Sequence, residues 1–158
     1  MVNFYNNFDD FSPQLFKWKT EGLKIVFTNG CFDILHRGHV EYLSEAKSYG
    51  DILIVGLNSD ESVKKLKGRS RPFVNERDRG FILAGLKSVD AIIVFNEDTP
   101  QSLISKIIPD VLIKGGDYDI QEIVGKDIVK DNGGEVKVVS FVEGNSSSSL
   151  IEKIKQSK

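Results

Sequence analysis

Two histidines, His36 and His39, stand three residues apart in a stretch, residues 28–39, that reads TNGCFDILHRGH. Residues at positions i and i+3 share one face of a helix, so both imidazoles would lie together if a helix begins here. A helix N-terminus also presents unpaired backbone N–H groups and about half a positive charge. The spacing therefore predicts a phosphate-binding turn with two imidazoles as hydrogen-bond donors.

The flanking sequence predicts which elements position this turn. Residues 24–27 read KIVF, a β-branched and aromatic run that is typical of a strand. After the turn, Val40, Leu43, Ala46 and Tyr49 recur at helical spacing. The histidines are therefore predicted to lie where a buried strand passes into a helix.

The rest of the chain repeats the alternation of strand and helix. Further strands are predicted at residues 51–58, 91–95, 111–114 and 136–139, and further helices at 59–66, 75–86, 99–108, 121–130 and 150–155. Asn75 is expected to cap its helix, which should bury Phe81, Ile82 and Leu86. The pattern predicts a doubly wound α/β domain with a five-stranded, mainly parallel, Rossmann-like sheet.

The first residues are predicted to form a separate helical extension. Ser12 and Pro13 resemble a helix start, and Gly22 would end that helix. Residues 1–22 are then an N-terminal extension that packs outside the main fold, and residues 23–158 form the α/β core of a single domain. A chain of 158 residues is the right size for one domain.

Composition excludes several classes of protein. Lys and Arg total 21 against 23 Asp and Glu, a net charge of -2, which argues against a broad nucleic-acid-binding face. No run approaches the roughly 20 apolar residues that span a bilayer, and residues 1–10 do not resemble a signal peptide. Cys31 is the only cysteine, so a reducing, cytoplasmic location is expected. We interpret Cys31 as a small pocket-lining side chain rather than a nucleophile.

The residues that follow the predicted strands define a candidate site, because ligands of open α/β sheets bind at the carboxyl ends of strands. Glycines, hydroxyls, lysines and histidines predominate there, and carboxylates are few, a mixture that suits a polyanion. One cysteine and two histidines do not supply a closed zinc site, so no resident metal is predicted. The turn also matches neither a Walker phosphate loop nor a dinucleotide-binding glycine motif.

Several stretches together resemble one family. They are residues 28–39, 57–60, 66–68 with 70–72, 89–90, 97–101, 114–118, and Gly144 with Ser146. The sequence resembles the nucleotidyltransferase superfamily with the His-x-Gly-His signature, which includes cytidylyltransferases and class I aminoacyl-tRNA synthetases. More narrowly, it resembles the adenylyltransferases that make ADP-heptose.

The resemblance implies that ATP and D-glycero-β-D-manno-heptose 1-phosphate give ADP-heptose and pyrophosphate, with Mg²⁺ accompanying ATP, as a step towards lipopolysaccharide core precursors. It implies catalytic roles for His36, His39 and Lys67. It implies nucleotide binding by Thr28, Asn29, Gly30, Cys31, Phe32, Gly38, Lys114, Gly115, Gly144, Ser146, Ser147 and Ser148. It implies substrate binding by Asp33, Asn58, Asp60, Arg71, Arg79, Gly116 and Asp117, with Asp33 interpreted mainly as orienting its loop.

Some alternatives stay open at this point. Arg79 could equally form a surface ion pair, and the basic loop with Lys67 and Arg71 could simply be solvated. Phe141 stands where glycerol-3-phosphate cytidylyltransferases carry an arginine, which lowers the cytidylyltransferase interpretation. The competing functions are nucleotidyl transfer to another phosphorylated alcohol such as glycerol 3-phosphate, transfer from CTP instead of ATP, and nucleotide binding without catalysis.

The resemblance also carries expectations about partners. It implies a homodimer, and a separate heptose kinase that acts in the same pathway. In this family the transferase domain is often fused behind a sugar kinase domain. Since the chain leaves no room for a kinase, we expect a stand-alone transferase.

Overall fold

The computed structural model describes residues 3–140 and 146–157. The described elements are β1 (Phe4–Tyr5), α1 (Phe8–Thr20), β2 (Ile25–Gly30), α2 (Arg37–Lys47), β3 (Ile52–Asn58), α3 (Asp60–Lys67), α4 (Glu76–Ala84), β4 (Ala91–Phe95), α5 (Gln101–Ile107), β5 (Val111–Gly115), a 3-10 turn (Ile120–Glu122), α6 (Lys126–Asp131), β6 (Glu135–Val139) and α7 (Ser147–Gln156). The strands form one parallel sheet in the order β1-β4-β3-β2-β5-β6. The predicted α/β class is confirmed, with six strands rather than five.

Both faces of the sheet are covered. Along β2, Ile25 and Phe27 pack into one apolar cluster and Val26 into another, as the alternation of side chains in a strand requires. Every residue of β3 is buried, in agreement with its continuous apolar sequence. No helix within residues 3–140 and 146–157 is both long and apolar enough to cross a membrane.

The N-terminal helix begins earlier than predicted. Its cap is Asn7, whose side chain accepts a hydrogen bond from the Asp10 N–H, so the predicted start at Ser12 and Pro13 is wrong. Pro13 lies inside α1, where it has no N–H to give the carbonyl of Asp9. The Ser12 hydroxyl donates to that carbonyl at 3.0 Å instead, which explains how the helix continues through a proline.

The N-terminal residues also pack into the main core. Phe11 is fully buried in the same cluster as Phe27, and β1 pairs with β4 at the edge of the sheet. Two residues are too short a run to carry a recognisable strand pattern, which is why β1 was missed.

Helix α4 is capped by Asn75 as predicted, but the predicted buried face is wrong. Phe81 is 71% exposed and Ile82 is also exposed, whereas Arg79 and Gly80 are buried. A Cβ on Gly80 would lie 2.1 Å from the ring of Phe4 in β1. This close approach of helix to strand, possible only for glycine, turns Phe81 and Ile82 outward.

The predicted helix at residues 121–130 is interrupted. Between the 3-10 turn and α6, Gly125 has a φ of +85°, a left-handed conformation that glycine adopts without steric cost. The interruption brings Ile123 and Val124 to the carboxyl edge of the sheet.

Candidate active site

A cleft of about 540 Å³ opens at the carboxyl ends of the strands. Its centre is the end of β2 and the turn after it, with His39 and Tyr42 of α2. We call the β3 and β4 side the α3 half, lined by Asn58, Leu66, Lys67, Asp98, Thr99 and Pro100. We call the β5 and β6 side the α7 half, lined by Leu112, Ile113, Lys114, Gly115, Tyr118, Glu122, Ile123, Val124 and Ser147.

The turn at the centre is tightly packed. Phe32 has a φ of +46°, an uncommon left-handed conformation for a residue with a side chain. Its ring lies edge-on to His39, with centroids 5.2 Å apart, and a Cβ on Gly30 would lie 2.9 Å from it. Gly30 is therefore needed for space, and the buried Phe32 ring packs against the imidazole of His39.

The two histidines meet as predicted, but they do not have equal access to the cleft. Their rings stack with centroids 3.9 Å apart. His36 is the N-cap residue of α2, and its backbone N–H donates to Nδ1 of His39 at 3.4 Å. His39 is part of the described lining of the cleft, whereas His36 is not.

The protonation state of His39 follows from these contacts. Burial lowers its pKa to about 4, and the nearby charges of His36 and Lys67 act in the same direction. Burial also lowers the pKa of His36. Since Nδ1 of His39 accepts a hydrogen bond, the neutral ring carries its proton on Nε2. At neutral pH His39 is thus an uncharged donor at the positive end of a helix.

Asp33 anchors the basic loop of residues 68–75 to the turn. Its side chain is fully buried, and Oδ2 accepts from Nε of Arg71 at 2.5 Å. Oδ1 accepts from the backbone N–H groups of Phe73 and Val74 at 2.8 and 2.9 Å. The loop-orienting interpretation of Asp33 therefore accounts for both of its oxygens. Arg71 is its ion-pair partner and is not part of the described cleft lining, so its substrate contact stays a prediction.

Arg79 is not a substrate contact, because only 1% of its surface is exposed. Nε donates to the Val74 carbonyl at 2.9 Å, Nη1 to the Cys31 carbonyl at 2.5 Å, and Nη2 to Oδ1 of Asp60 at 2.8 Å. The guanidinium thus links the turn, the basic loop and the start of α3. The alternative of a surface ion pair for Arg79 is therefore wrong as well. Oδ1 of Asp60 accepts from this buried guanidinium, and Asp60 is not part of the described cleft lining.

The α3 half contains both predicted and missed residues. Asn58 and Lys67 line it as predicted. Asp98, Thr99 and Pro100, which follow β4, were not among the predicted site residues. The rule that ligands bind at the carboxyl ends of strands, applied to residues 91–95, would have found them.

In the α7 half, Lys114, Gly115 and Ser147 line the cleft as predicted. Burial lowers the pKa of Lys114, and its ammonium lies 5.1 Å from the centroid of the Tyr118 ring. The hydroxyl of Ser147 donates to the Ile34 carbonyl at 3.0 Å, which ties α7 to the histidine turn. The serines open a helix as predicted, with Ser146 as the N-cap residue of α7.

The remaining predicted residues fall into three groups. Ser148 and Asp117 are exposed outside the described lining, and Gly116, with a φ of +106°, shapes the chain after β5. The Thr28 side chain is fully buried and shares a 2.5 Å hydrogen bond with Tyr42, and Gly38 is buried in the first turn of α2, so neither is a surface for nucleotide. Gly144, like Phe141, lies outside the described residues.

Cys31 lines the cleft, and burial raises the pKa of its thiol. A protonated thiol is a poor nucleophile, which agrees with the sequence interpretation. Within the described ranges, no group of three or more His, Cys, Asp or Glu residues is arranged to hold a metal ion. An Mg²⁺ ion that accompanies ATP, as the resemblance implies, stays a prediction.

Comparison with known families gives one family match. A model of the cytidylyltransferase-like family matches residues 27–153. The bifunctional protein HldE of Wolinella succinogenes is 57% identical over 141 residues, which cover 89% of this chain and 29% of that protein. HldE of Aliarcobacter butzleri is 54% identical over 149 residues, 94% of this chain and 30% of that protein. The chain thus spans somewhat less than a third of the length of these relatives.

Solved structures agree with the fold. The lipopolysaccharide core biosynthesis protein from Thermoplasma volcanium is 32% identical with a TM-score of 0.63, and the match covers 78% of this chain and 100% of that one. Pantoate-beta-alanine ligase from Francisella tularensis, complexed with beta-gamma ATP and beta-alanine, has a TM-score of 0.60 at 17% identity, over 98% of this chain and 77% of that one. The second likeness supports the fold alone.

Proposed function

Since the chain belongs to the cytidylyltransferase-like family of nucleotidyltransferases, we propose that it transfers AMP from ATP to D-glycero-β-D-manno-heptose 1-phosphate, giving ADP-heptose and pyrophosphate. The observation that carries this proposal is the neutral His39, held at the N-terminus of α2 between two chemically different halves of one cleft. The sequence resemblance to the adenylyltransferases that make ADP-heptose, and the similarity to a lipopolysaccharide core biosynthesis protein, support a heptose as the acceptor.

The reaction needs alignment and charge neutralisation more than a base. A sugar phosphate is already ionised at neutral pH, so its oxygen can attack the α-phosphorus of ATP directly. A new P–O bond forms to the acceptor, and the bond to the β-phosphate oxygen breaks as pyrophosphate leaves. Nε2–H of His39 donates to a phosphate oxygen as negative charge develops, and the lysines on either side, Lys67 and Lys114, offset it. Mg²⁺ bound to the triphosphate would neutralise further charge.

The two halves suit the two substrates. The α7 half combines the ring of Tyr118 and the apolar Ile123 and Val124 with Lys114 and Ser147. Such a surface fits a flat nucleobase followed by phosphates. The α3 half is more polar, with Asn58, Lys67 and Asp98, and fits a hydroxyl-rich phosphorylated sugar. We therefore assign ATP to the α7 half and the acceptor to the α3 half.

Pyrophosphate release by the purified protein tests this function. ATP and CTP are each combined with heptose 1-phosphate, hexose 1-phosphates and glycerol 3-phosphate. We expect turnover with ATP and heptose 1-phosphate above all other pairs. Turnover with CTP or glycerol 3-phosphate and none with any heptose phosphate would contradict the proposal, and binding of ATP without any turnover would favour a non-catalytic module.

A further inference from the structure

Asn58 at the end of β3 presents an oriented hydrogen-bond acceptor to the cleft. It is 4% exposed and lines the α3 half. Its Nδ2 donates to the Ser62 hydroxyl at 2.9 Å, and that hydroxyl donates to the Glu97 carbonyl at 3.4 Å. A hydroxyl has one proton, so Ser62 can only accept from Asn58 while it donates to Glu97. These two hydrogen bonds fix the orientation of the Asn58 amide, and Oδ1 is the atom that they leave unbonded.

The free oxygen of Asn58 remains available to a ligand. Within the described part of the chain, no donor bonds Oδ1. Oδ1 is also not one of the enclosed polar atoms that lack a partner in the described residues, so it is open to the cleft. A nearly buried acceptor without a donor is unfavourable unless water or a ligand supplies one.

The chemistry of the α3 half narrows the ligand group. Phosphate oxygens at neutral pH are acceptors and cannot pair with Oδ1. Asp98, the exposed carboxylate of the same half, pairs with Lys65 at 3.5 Å and offers only acceptor oxygens to a ligand. Hydroxyl groups donate to both. A ligand that satisfies Asn58, Asp98 and the ammonium of Lys67 together carries hydroxyls and a phosphate, as a sugar phosphate does.

We propose that Asn58 determines acceptor specificity, with Oδ1 accepting a hydrogen bond from one hydroxyl group of the sugar. Ser62 and the Glu97 carbonyl are positioning groups that keep the amide in this orientation. The inference rests on the proposed function, because it takes the α3 half as the acceptor side. It adds the atom that distinguishes a polyol from a simpler phosphorylated alcohol.

The test measures kcat and KM for ATP and for heptose 1-phosphate in the wild type, Asn58→Ala and Ser62→Ala. We expect Asn58→Ala to raise the KM for the sugar phosphate about 10-fold, with the KM for ATP within about 2-fold. Ser62→Ala keeps the amide but releases it to rotate, so we expect a smaller rise of about 3-fold for the same substrate. Asn132→Ala, an exposed amide after α6 that bonds the Ile128 carbonyl, is the matched control and should change neither constant.

Sugar 1-phosphates that each lack one hydroxyl give the decisive readout. The wild type should discriminate against each analogue, and Asn58→Ala should lose its discrimination at one hydroxyl alone. If Asn58 has only a structural role, Asn58→Ala should lower kcat/KM for the sugar phosphate and for every analogue by the same factor, and that result would overturn the inference. A larger rise in the KM for ATP than in the KM for the sugar phosphate would overturn it as well. If the wild-type protein turns over no sugar 1-phosphate, the proposed function and this inference are both rejected. If the wild type turns over heptose 1-phosphate and Asn58→Ala discriminates among the analogues as the wild type does, the inference alone is rejected.

Discussion

The two halves of the cleft are held in place by different means. The α3 half is cross-linked by buried charges: Asp33 fastens the basic loop, and Arg79 joins that loop to the histidine turn and to Asp60 of α3. In the α7 half, helix α7 has no fully buried residue, and the hydroxyl of Ser147 ties it to the Ile34 carbonyl.

This difference indicates which half is preorganised. Buried, hydrogen-bonded charges fix a surface before a ligand arrives, so acceptor binding on the α3 side costs little ordering. A helix with few buried contacts opens locally at low free energy. We therefore expect ATP to order the α7 half on binding, and the acceptor to meet a surface that is already formed.

Removing the group between the halves should have the largest effect. We expect His39→Ala to lower kcat by about 100- to 1,000-fold, because it removes a donor to the developing charge, while the KM values for both substrates change only a few-fold. Steady-state kinetics with each substrate varied measures this. His39→Gln, which keeps an N–H donor, should recover part of the loss. An unchanged kcat in His39→Ala would refute the role of the imidazole.

The cross-links of the α3 half should dominate stability. We expect Arg79→Met to lower the free energy of unfolding by about 3 kcal/mol, because it leaves Asp60 and two carbonyl groups without their buried donor. Lys155→Met in α7 breaks only an exposed ion pair with Glu152, so it should change the free energy of unfolding by less than about 0.5 kcal/mol. Urea denaturation of both variants measures the contrast, and equal losses would show that the halves are not built differently.

Much of the fold followed from the sequence because its signals are local. The continuous apolar run of β3 and the cap Asn75 each depend on residues near one another in the chain, and the structure has them as predicted. The candidate site followed in part from a topological rule, since the carboxyl ends of parallel strands share one edge.

The errors concern residues whose environment is set by distant parts of the chain. Arg79 is buried because Cys31 and Asp60 come from other elements, and nothing near it in sequence indicates those partners. Phe81 is exposed because Gly80 packs against Phe4, a residue that is far from it in the sequence. An amphipathic pattern alone could not choose between the two faces of α4.

The two lysines offer a reciprocal test of the substrate assignment. We expect Lys67→Met to lower kcat/KM for the sugar phosphate by about 30-fold, and Lys114→Met to raise the KM for ATP by about 10-fold, because each loses a charge-assisted contact on its own side. Kinetics with one substrate saturating separates the effects. If both variants impair the same substrate, the division of the cleft into two subsites is wrong.

The pH dependence of stability tests the centre of the cleft. The pKa of His39 lies at about 4 in the fold against 6.5 for a free histidine, so between these values the unfolded chain binds the proton and the folded chain does not. We expect the free energy of unfolding to rise with pH across this window and to decline as pH falls towards 4. Urea midpoints measured from pH 4 to pH 7 should show a shallower slope for His39→Gln, and an identical slope would mean that His39 is not buried as described.

The smallest expected effect concerns the tie that holds α7. Ser147→Ala removes the hydroxyl that bonds the Ile34 carbonyl, so we expect faster amide hydrogen exchange in the first turns of α7 and a rise of about 3-fold in the KM for ATP. Saturating ATP should restore most of the protection, because ligand binding then supplies the ordering. Ser157→Ala, whose hydroxyl bonds the Ile154 carbonyl at the far end of the same helix, should leave the KM unchanged. If ATP protects the α3 half more than α7, the preorganised side is the α7 half and the comparison is reversed.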